Sequence, residues 1–395
     1  MESFIIDVAS MVVRWLHIIT GIAWVGASFY FIWLDNSLEE APSWKREQGI
    51  KGDLWSFHAG GIYEVAKYQL GPSKMPQRLH WFYWEAYSTW LTGMALLVLV
   101  YYLQASTYLL APDGNIASPL QGIAVSLLFI ITGYLGYEVF VRIGMADRVP
   151  LFIVCLTIWI SMFSWLSVQV FSARAAYIHM GILLGTIMVA NVFFGIIPPQ
   201  RRFVKAINDG LPPDVESLRM AKLRSTHNNY FTLPVLFCMI SNHYPFLYGH
   251  RYNWLILIAI CLITAAARRF FNLRHKGIKR PLILVVCAAL FILLMGAVMW
   301  DNRHTQAELG AVQLTDLEAM TLINTHCIGC HAGTPTFPGI SAPPLGVIIT
   351  TLDQVKLHAD KAKVVLAAKY MPLGNLTMLT DEQRQQMVQW FGQLH

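Results

Sequence analysis

Cys327-Ile328-Gly329-Cys330-His331 is the string in this chain whose residue types and spacing most directly define a chemistry. Two thiols three positions apart can form thioethers to the two vinyl groups of one haem, and the histidine that follows then sits under the iron as an axial ligand. A sixth ligand must come from elsewhere. Met371, in a Met-Pro pair 40 residues after His331, lies in a loop from which its thioether could reach the other face of the iron; Met378 is its rival. Thioether ligation raises haem potential, so such a haem accepts electrons readily. The same string could be half of a zinc or disulfide site, but no second pair of cysteines or histidines nearby has zinc-site spacing. The other cysteines, Cys155, Cys238, Cys261 and Cys287, stand singly in apolar runs and read as small buried residues.

The flanking segments supply the elements that would hold this motif. Thr315-Asp316-Leu317-Glu318 is a capping box that opens a short helix before it. Thr380-Asp381-Glu382-Gln383 opens a second, terminal helix whose apolar positions Met387, Trp390, Phe391 and Leu394 recur at helical spacing. This order of helix, motif, methionine loop and terminal helix resembles the small class I cytochrome c domain, over roughly residues 315 to 395.

The preceding 300 residues have a different character. Hydrophobic residues make up 55% of the 395-residue chain and charged residues 13%. Soluble domains average about 45–50% and about 25%, so both departures point to a lipid bilayer as solvent. Apolar runs long enough to cross about 30 Å of hydrocarbon lie near 11–34, 84–104, 118–140, 149–170, 174–197, 228–249, 251–271 and 281–300. The N-terminus lacks a basic region and its first apolar run is too long for a cleaved signal, so that helix is expected to insert and remain. The net charge of +6 does not indicate nucleic-acid binding, because the basic residues fall in membrane-flanking loops without interleaved aromatics.

Those loops also orient the chain. Loops 35–83, 141–148, 198–227 and 268–280 carry twenty lysines and arginines, whereas the intervening loops carry only Arg174 and Arg251. The positive-inside rule then puts both termini and the C-terminal domain outside, in the periplasm of a bacterial inner membrane. Haem c is attached in that compartment. The expected architecture is all-α: an eight-helix transmembrane bundle over 1–300, a linker over 301–314, and a cytochrome c-like domain over 315–395, tethered closely enough to favour docking on the bundle.

Polar residues inside spans are costly and often functional. His17, His179 and His243 share one level near the outer side. Two facing histidines at one depth could ligate a haem b; the plainer alternative is a hydrogen bond from each to a neighbouring helix. The inner side gathers Glu85 and His80 before the second helix, Glu138 at the end of the third, Asn191 in the fifth, and His227 and Asn228 opening the sixth. Carboxylates, amides, an imidazole and aromatic planes suit a flat polar heterocycle, although interfacial anchoring accounts for the same residues. In the long loop 35–83, Gly60-Gly61 beside His58 and Glu64 reads as the turn between two surface helices, with a substrate lid as the alternative.

The strings Trp15-Leu16-His17-Ile18-Ile19-Thr20-Gly21-Ile22-Ala23-Trp24-Val25-Gly26, His80-Trp81, Trp84-Glu85-Ala86-Tyr87, Gly185-Thr186-Ile187-Met188-Val189-Ala190-Asn191 and His227-Asn228-Asn229-Tyr230 together resemble the bacterial membrane-bound cytochrome c urate oxidase (urate hydroxylase) family. The resemblance covers nearly the whole chain. It implies oxidation of urate to 5-hydroxyisourate in purine catabolism, with electrons leaving through haem c to a cytochrome c or terminal oxidase and no hydrogen peroxide formed. Glu85, His80, His227, Asn228, Asn191 and Glu138 are then the candidates for the urate site. Cys327, Cys330, His331 and Met371 would hold haem c, and His17 with His179 are the candidates for a second haem. A non-catalytic membrane-anchored electron relay is the competing function.

Overall fold

The computed structural model describes residues 2–111, 114, 116, 118–308, 314–337, 340 and 342–394. It is mostly helical. Eight long helices follow one another: α1 (Glu2–Ser37), α2 (Trp84–Leu96, continuing with π-type winding to Tyr102), α3 (Pro119–Arg142), α4 (Val149–Val170), α5 (Ala173–Ala190, continuing to Asn208), α6 (Val215–Ile240), α7 (Asn253–His275) and α8 (Leu282–Glu308). Among the described residues, six helices are long and apolar enough to cross a membrane, the spans beginning at Phe4, Pro119, Val149, Ala173, Asn253 and Leu282. Large apolar side chains such as Trp15, Ile22, Leu128 and Ile158 stand on the outer surface of these helices. An exposed apolar belt of that size needs a cover other than water.

Local sequence explains where the helices start and bend. Ser118 and Ser172 accept hydrogen bonds from Gln121 and Ala175 at the amino ends of α3 and α5. The π-type winding of Asn191–Ile196 comes just before Pro198 and Pro199, which bring no N–H to the helical ladder. Gly195 in that stretch faces Arg224 of α6, and a Cβ there would come within 2.2 Å of Cδ of that side chain.

The loop between α1 and α2 departs from the all-α expectation. It holds a three-stranded antiparallel sheet, β1 (Glu39–Glu40), β2 (Ile50–His58) and β3 (Gly61–Tyr68). Ala59 and Gly60, both at positive φ, form the two-residue turn that pairs His58 with Gly61. The glycine pair thus marks a turn, as its composition indicates, but a hairpin turn rather than one between helices. The period-two alternation of Trp55-Ser56-Phe57-His58 just before the turn is the overlooked signal. Buried Lys45 pairs with Asp53 and Glu64 beneath the sheet, and Asp35 at the end of α1 pairs with Lys67 of β3 and Lys222 of α6.

The C-terminal unit has its own core of Ala319, Ile323, Val355, Leu366, Met387, Trp390 and Phe391. Both expected capping boxes are formed, Thr315 with Glu318 and Thr380 with Gln383, and a third joins Thr351 to Gln354. The expected linker 301–314 is partly helix, because α8 runs on to Glu308; residues 309–313 lie outside the described ones. The unit packs directly on the bundle. Gly374 lies against Ser106 and Thr107, leaving 2.9 Å between a Cβ there and the Ser106 carbonyl, and Gly249 lies closer still to Ala368, with 2.1 Å between a Cβ there and the Ala368 Cβ.

Beside this junction, buried His250 accepts a hydrogen bond at Nδ1 from the Tyr252 N–H at 3.1 Å, and its Nε2 lies 3.1 Å from Asp301. Burial lowers its pKa, outweighing the attraction of Asp301, and Arg251 lowers it further. A histidine whose folded pKa is depressed contributes stability that is complete above its unfolded value of about 6.5 and is lost as pH falls below it. Thermal melts in detergent should therefore weaken from pH 7.5 to 5.5, and His250→Gln should flatten part of that slope. An unchanged slope in the variant would remove His250 from the pH response.

Candidate functional site

The haem-type motif sits where the first C-terminal helix breaks. Asp316–His326 ends at Cys327, and a single turn, Ile328–His331, follows. The Thr336 and Phe337 N–H groups donate to the Gly329 carbonyl at 2.9 Å, which folds the chain back on the motif. Cys327 and Cys330 are both free thiols. Burial pushes the Cys327 thiol up to about 12, with the neighbouring Cys330 adding to the shift, and burial also raises Cys330. The His331 Nδ1 donates to the Val347 carbonyl at 3.1 Å, which leaves Nε2 as the lone-pair nitrogen. Leu345, two residues before Val347, is fully exposed.

On the other side of the unit, the Met371 N–H donates to the Val365 carbonyl, and its own carbonyl accepts from buried Arg384. Met371 is half-buried, whereas Met378 is 83% exposed. Two free thiols, an imidazole oriented by its second nitrogen and a thioether on a fixed loop are a donor set that fits a covalently attached haem.

The inner polar residues form one connected buried network. Arg224 of α6 donates from both terminal nitrogens to Glu138 of α3, at 2.7 and 3.0 Å, and to Asn191 Oδ1 at 2.8 Å. Asn191 Nδ2 donates to the Tyr137 hydroxyl and to Asn228 Oδ1, both at 2.9 Å. The Tyr137 hydroxyl lies 2.8 Å from His227 Nδ1, and the His227 ring stacks on Phe152 at 4.6 Å. Asn228 Nδ2 donates to the Met188 carbonyl at 2.9 Å. Four of the six candidates from the sequence, Glu138, Asn191, His227 and Asn228, are therefore brought together. Arg224 and Tyr137 complete the group and were missed; the spacing of Arg224 and Asn228, four apart on one helix face, was the available signal. Two candidates stand apart. The Glu85 carboxylate is half-buried and has no partner among the described residues, and His80 is exposed with its ring edge-on to Phe82 at 4.6 Å. The network's hydrogen-bonding capacity is largely consumed within itself, which suits bracing of α3, α5 and α6 better than reception of a heterocycle.

The three histidines of the outer level have different surroundings. His179 is fully buried with both nitrogens engaged, Nε2 with Ser126 Oγ at 2.7 Å and Nδ1 with the Ala175 carbonyl at 2.8 Å, and its ring stacks on Phe171 at 4.1 Å. His243 is exposed. His17 packs against α2, with Nδ1 3.0 Å from both the Thr89 carbonyl and Thr92 Oγ1. Its ring borders a mostly apolar cavity of about 110 Å³ between α1, α2, α5 and α6, which also touches Trp24, Trp90, Gly185 and Asn228. Small-molecule sites usually measure about 300–1,000 Å³, so this space is small for one.

A third cluster joins the two units. Arg174 at the start of α5 donates to the Tyr370 hydroxyl at 2.8 Å, and its guanidinium lies over the rings of Tyr108 and Tyr370 at 5.4 and 5.6 Å. Tyr370 also meets Tyr248 at 5.9 Å. Tyr370 immediately precedes Met371, so this contact ties the methionine loop to the bundle. Sequence reasoning counted Arg174 only as an exception to the charge asymmetry.

Against this geometry the family comparison can be set. The family described as urate oxidase N-terminal matches residues 3–300, and the chain belongs to it. No curated protein and no solved structure matches the chain.

Proposed function

We propose that the chain is a membrane-bound urate oxidase whose acceptor is a haem c carried on its own C-terminal unit. The observation that carries this reading is the joining of the two parts. A bundle of the urate oxidase N-terminal family is followed by a C-x-x-C-H unit, and Arg174 of the first is hydrogen-bonded to Tyr370 of the second. Cys327 and Cys330 would attach the haem, and His331 and Met371 would bind its iron. Bound there, haem c supplies a one-electron acceptor of raised potential.

The overall reaction balances without molecular oxygen. The urate anion and one water give 5-hydroxyisourate, one proton and two electrons, with the new C5–O bond made from water. The chain's contributions are to bind and orient the substrate and to hold the acceptor's ligands in register through the Val347 carbonyl and Arg384. All eight long helices would span the bilayer, with the C-terminal unit and the loops carrying Arg174 and Arg251 on the periplasmic side of an inner membrane. A periplasmic or membrane-bound acceptor would then receive the electrons.

The purified protein, supplied with urate and an external one-electron oxidant, should consume urate in ordinary water with two equivalents of oxidant reduced and no peroxide. In ¹⁸O-water the product should carry the label. Stoichiometric peroxide, or label arriving from ¹⁸O₂, would contradict the proposal.

A further inference from the structure

Arg174 is a cation without a counter-ion. Among the described residues it forms no ion pair with a carboxylate; its charged head meets the hydroxyls of Tyr101 and Tyr370, and its Nε is buried with no hydrogen-bond partner. Aromatic faces offset part of the cost of drawing this half-buried guanidinium out of water, but a charge without a counter-ion remains open to an anion or further acceptors. The space for such a partner is present. A cavity of about 310 Å³ lies between the two units, bounded by Thr107, Tyr108, Phe171 and Arg174 on the bundle and by Tyr370 and Gly374 on the C-terminal unit.

We propose that the planar substrate anion, urate, binds in this cavity between the units with Arg174 as its counter-ion. The proposal rests on the urate reading above and adds the place and the binding group. Urate is a monoanion at neutral pH, with nitrogen and oxygen atoms alternating around its edge. A guanidinium presents a flat fork of donors that meets two such acceptors side by side. The Tyr108 and Tyr370 rings beside it offer faces for a flat heterocycle, and the positive end of the α5 dipole adds to the attraction without carrying it. The volume falls within the usual range for small ligands, unlike the apolar cavity beside His17.

Position supports the same assignment. The Tyr108 hydroxyl has its pKa raised chiefly by burial, and the Cys330 thiol is near enough to add to the shift. Tyr370 is adjacent in sequence to Met371. The cavity is therefore lined by Tyr370, next in sequence to Met371, and by Leu373 just after it, whereas the network around Asn191 is spent on its own hydrogen bonds.

The test is urate affinity, measured by equilibrium dialysis with radiolabelled urate on the full-length, haem-loaded protein in its oxidised state without oxygen or external oxidant, together with KM and kcat. Arg174→Gln should weaken binding and raise KM by about tenfold or more, as expected for a lost charge-assisted hydrogen bond, with Arg174→Lys in between. Ala111→Phe, at another residue that lines the cavity, leaves the arginine in place; it should weaken binding independently and serves if the arginine variants do not fold. Wild-type affinity in both Arg174→Gln and Ala111→Phe, with turnover intact, would overturn the site and leave the urate reading standing. A lowered kcat at unchanged affinity in Arg174→Gln would assign the arginine to docking and also overturn it. Urate bound through Arg174 without being oxidised would support the site and refute the oxidase.

Discussion

His331→Ala is expected to abolish the low-spin c-type spectrum and to bring urate-driven reduction down to background. The imidazole is held by one hydrogen bond, from Nδ1 to the Val347 carbonyl at 3.1 Å, which fixes its tautomer and aims the other nitrogen as a ligand. Alanine removes the ligand and leaves the Val347 carbonyl without that donor. His331 does not line the cavity at Arg174, so urate binding should persist in the variant. That separates loss of the acceptor from loss of the protein. Visible spectra of the purified variant, oxidised and dithionite-reduced, decide the matter: normal c-type bands would show that His331 is not the axial ligand. Met371→Ala should have a milder form of the same defect, with the attached haem retained and its potential lowered.

Glu138→Ala should be the most destabilising single change in the bundle, by about 3–5 kcal/mol, the usual range for breaking a buried ion pair from one side. Glu138 and Arg224 are 7% and 9% exposed, and the carboxylate also accepts from Arg142 at 2.7 Å. Its loss would strand a buried guanidinium against Asn191 and loosen the π-wound part of α5, where Gly195 gives Arg224 its room. The double change Glu138→Leu with Arg224→Met should be less harmful than Glu138→Ala, because both charges are then gone. Thermal unfolding in detergent tests this. A Glu138→Ala protein as stable as wild type, yet unable to turn over urate, would return Glu138 to the role its sequence position first invited, that of a group acting on substrate.

The parts of this protein that were legible in the sequence are those fixed by local rules. Apolar length placed six of the long helices, but not the bounds of α6, expected over 228–249 and found at Val215–Ile240; Thr-x-x-Glu and Thr-x-x-Gln spacing placed the capped helices of the C-terminal unit. Both rest on residues within a turn or two of one another. The hairpin of loop 35–83 was also local, but its alternation was read past in favour of helices. What could not be read was which polar side chains meet. His17 and His179 share a level in the sequence, yet Ser126 and the Ala175 carbonyl take both nitrogens of His179, and only packing of α3 on α5 reveals that. Glu85 and Glu138 looked alike as carboxylates at helix ends. One met Arg224 and the other did not, a difference decided by the register of α6. Arg174 looked like a loop charge because the tyrosines around it come from segments 66 to 196 residues away.

The measurement that bears most directly on the central claim is the visible spectrum of the purified, oxidised protein as urate is added without oxygen. Appearance of the reduced c-type bands, with urate alone as donor, is the predicted result and would make the single chain both the site of oxidation and the first acceptor. Unchanged bands with urate, in a protein whose haem dithionite still reduces, would contradict it and favour an electron relay that serves a separate dehydrogenase.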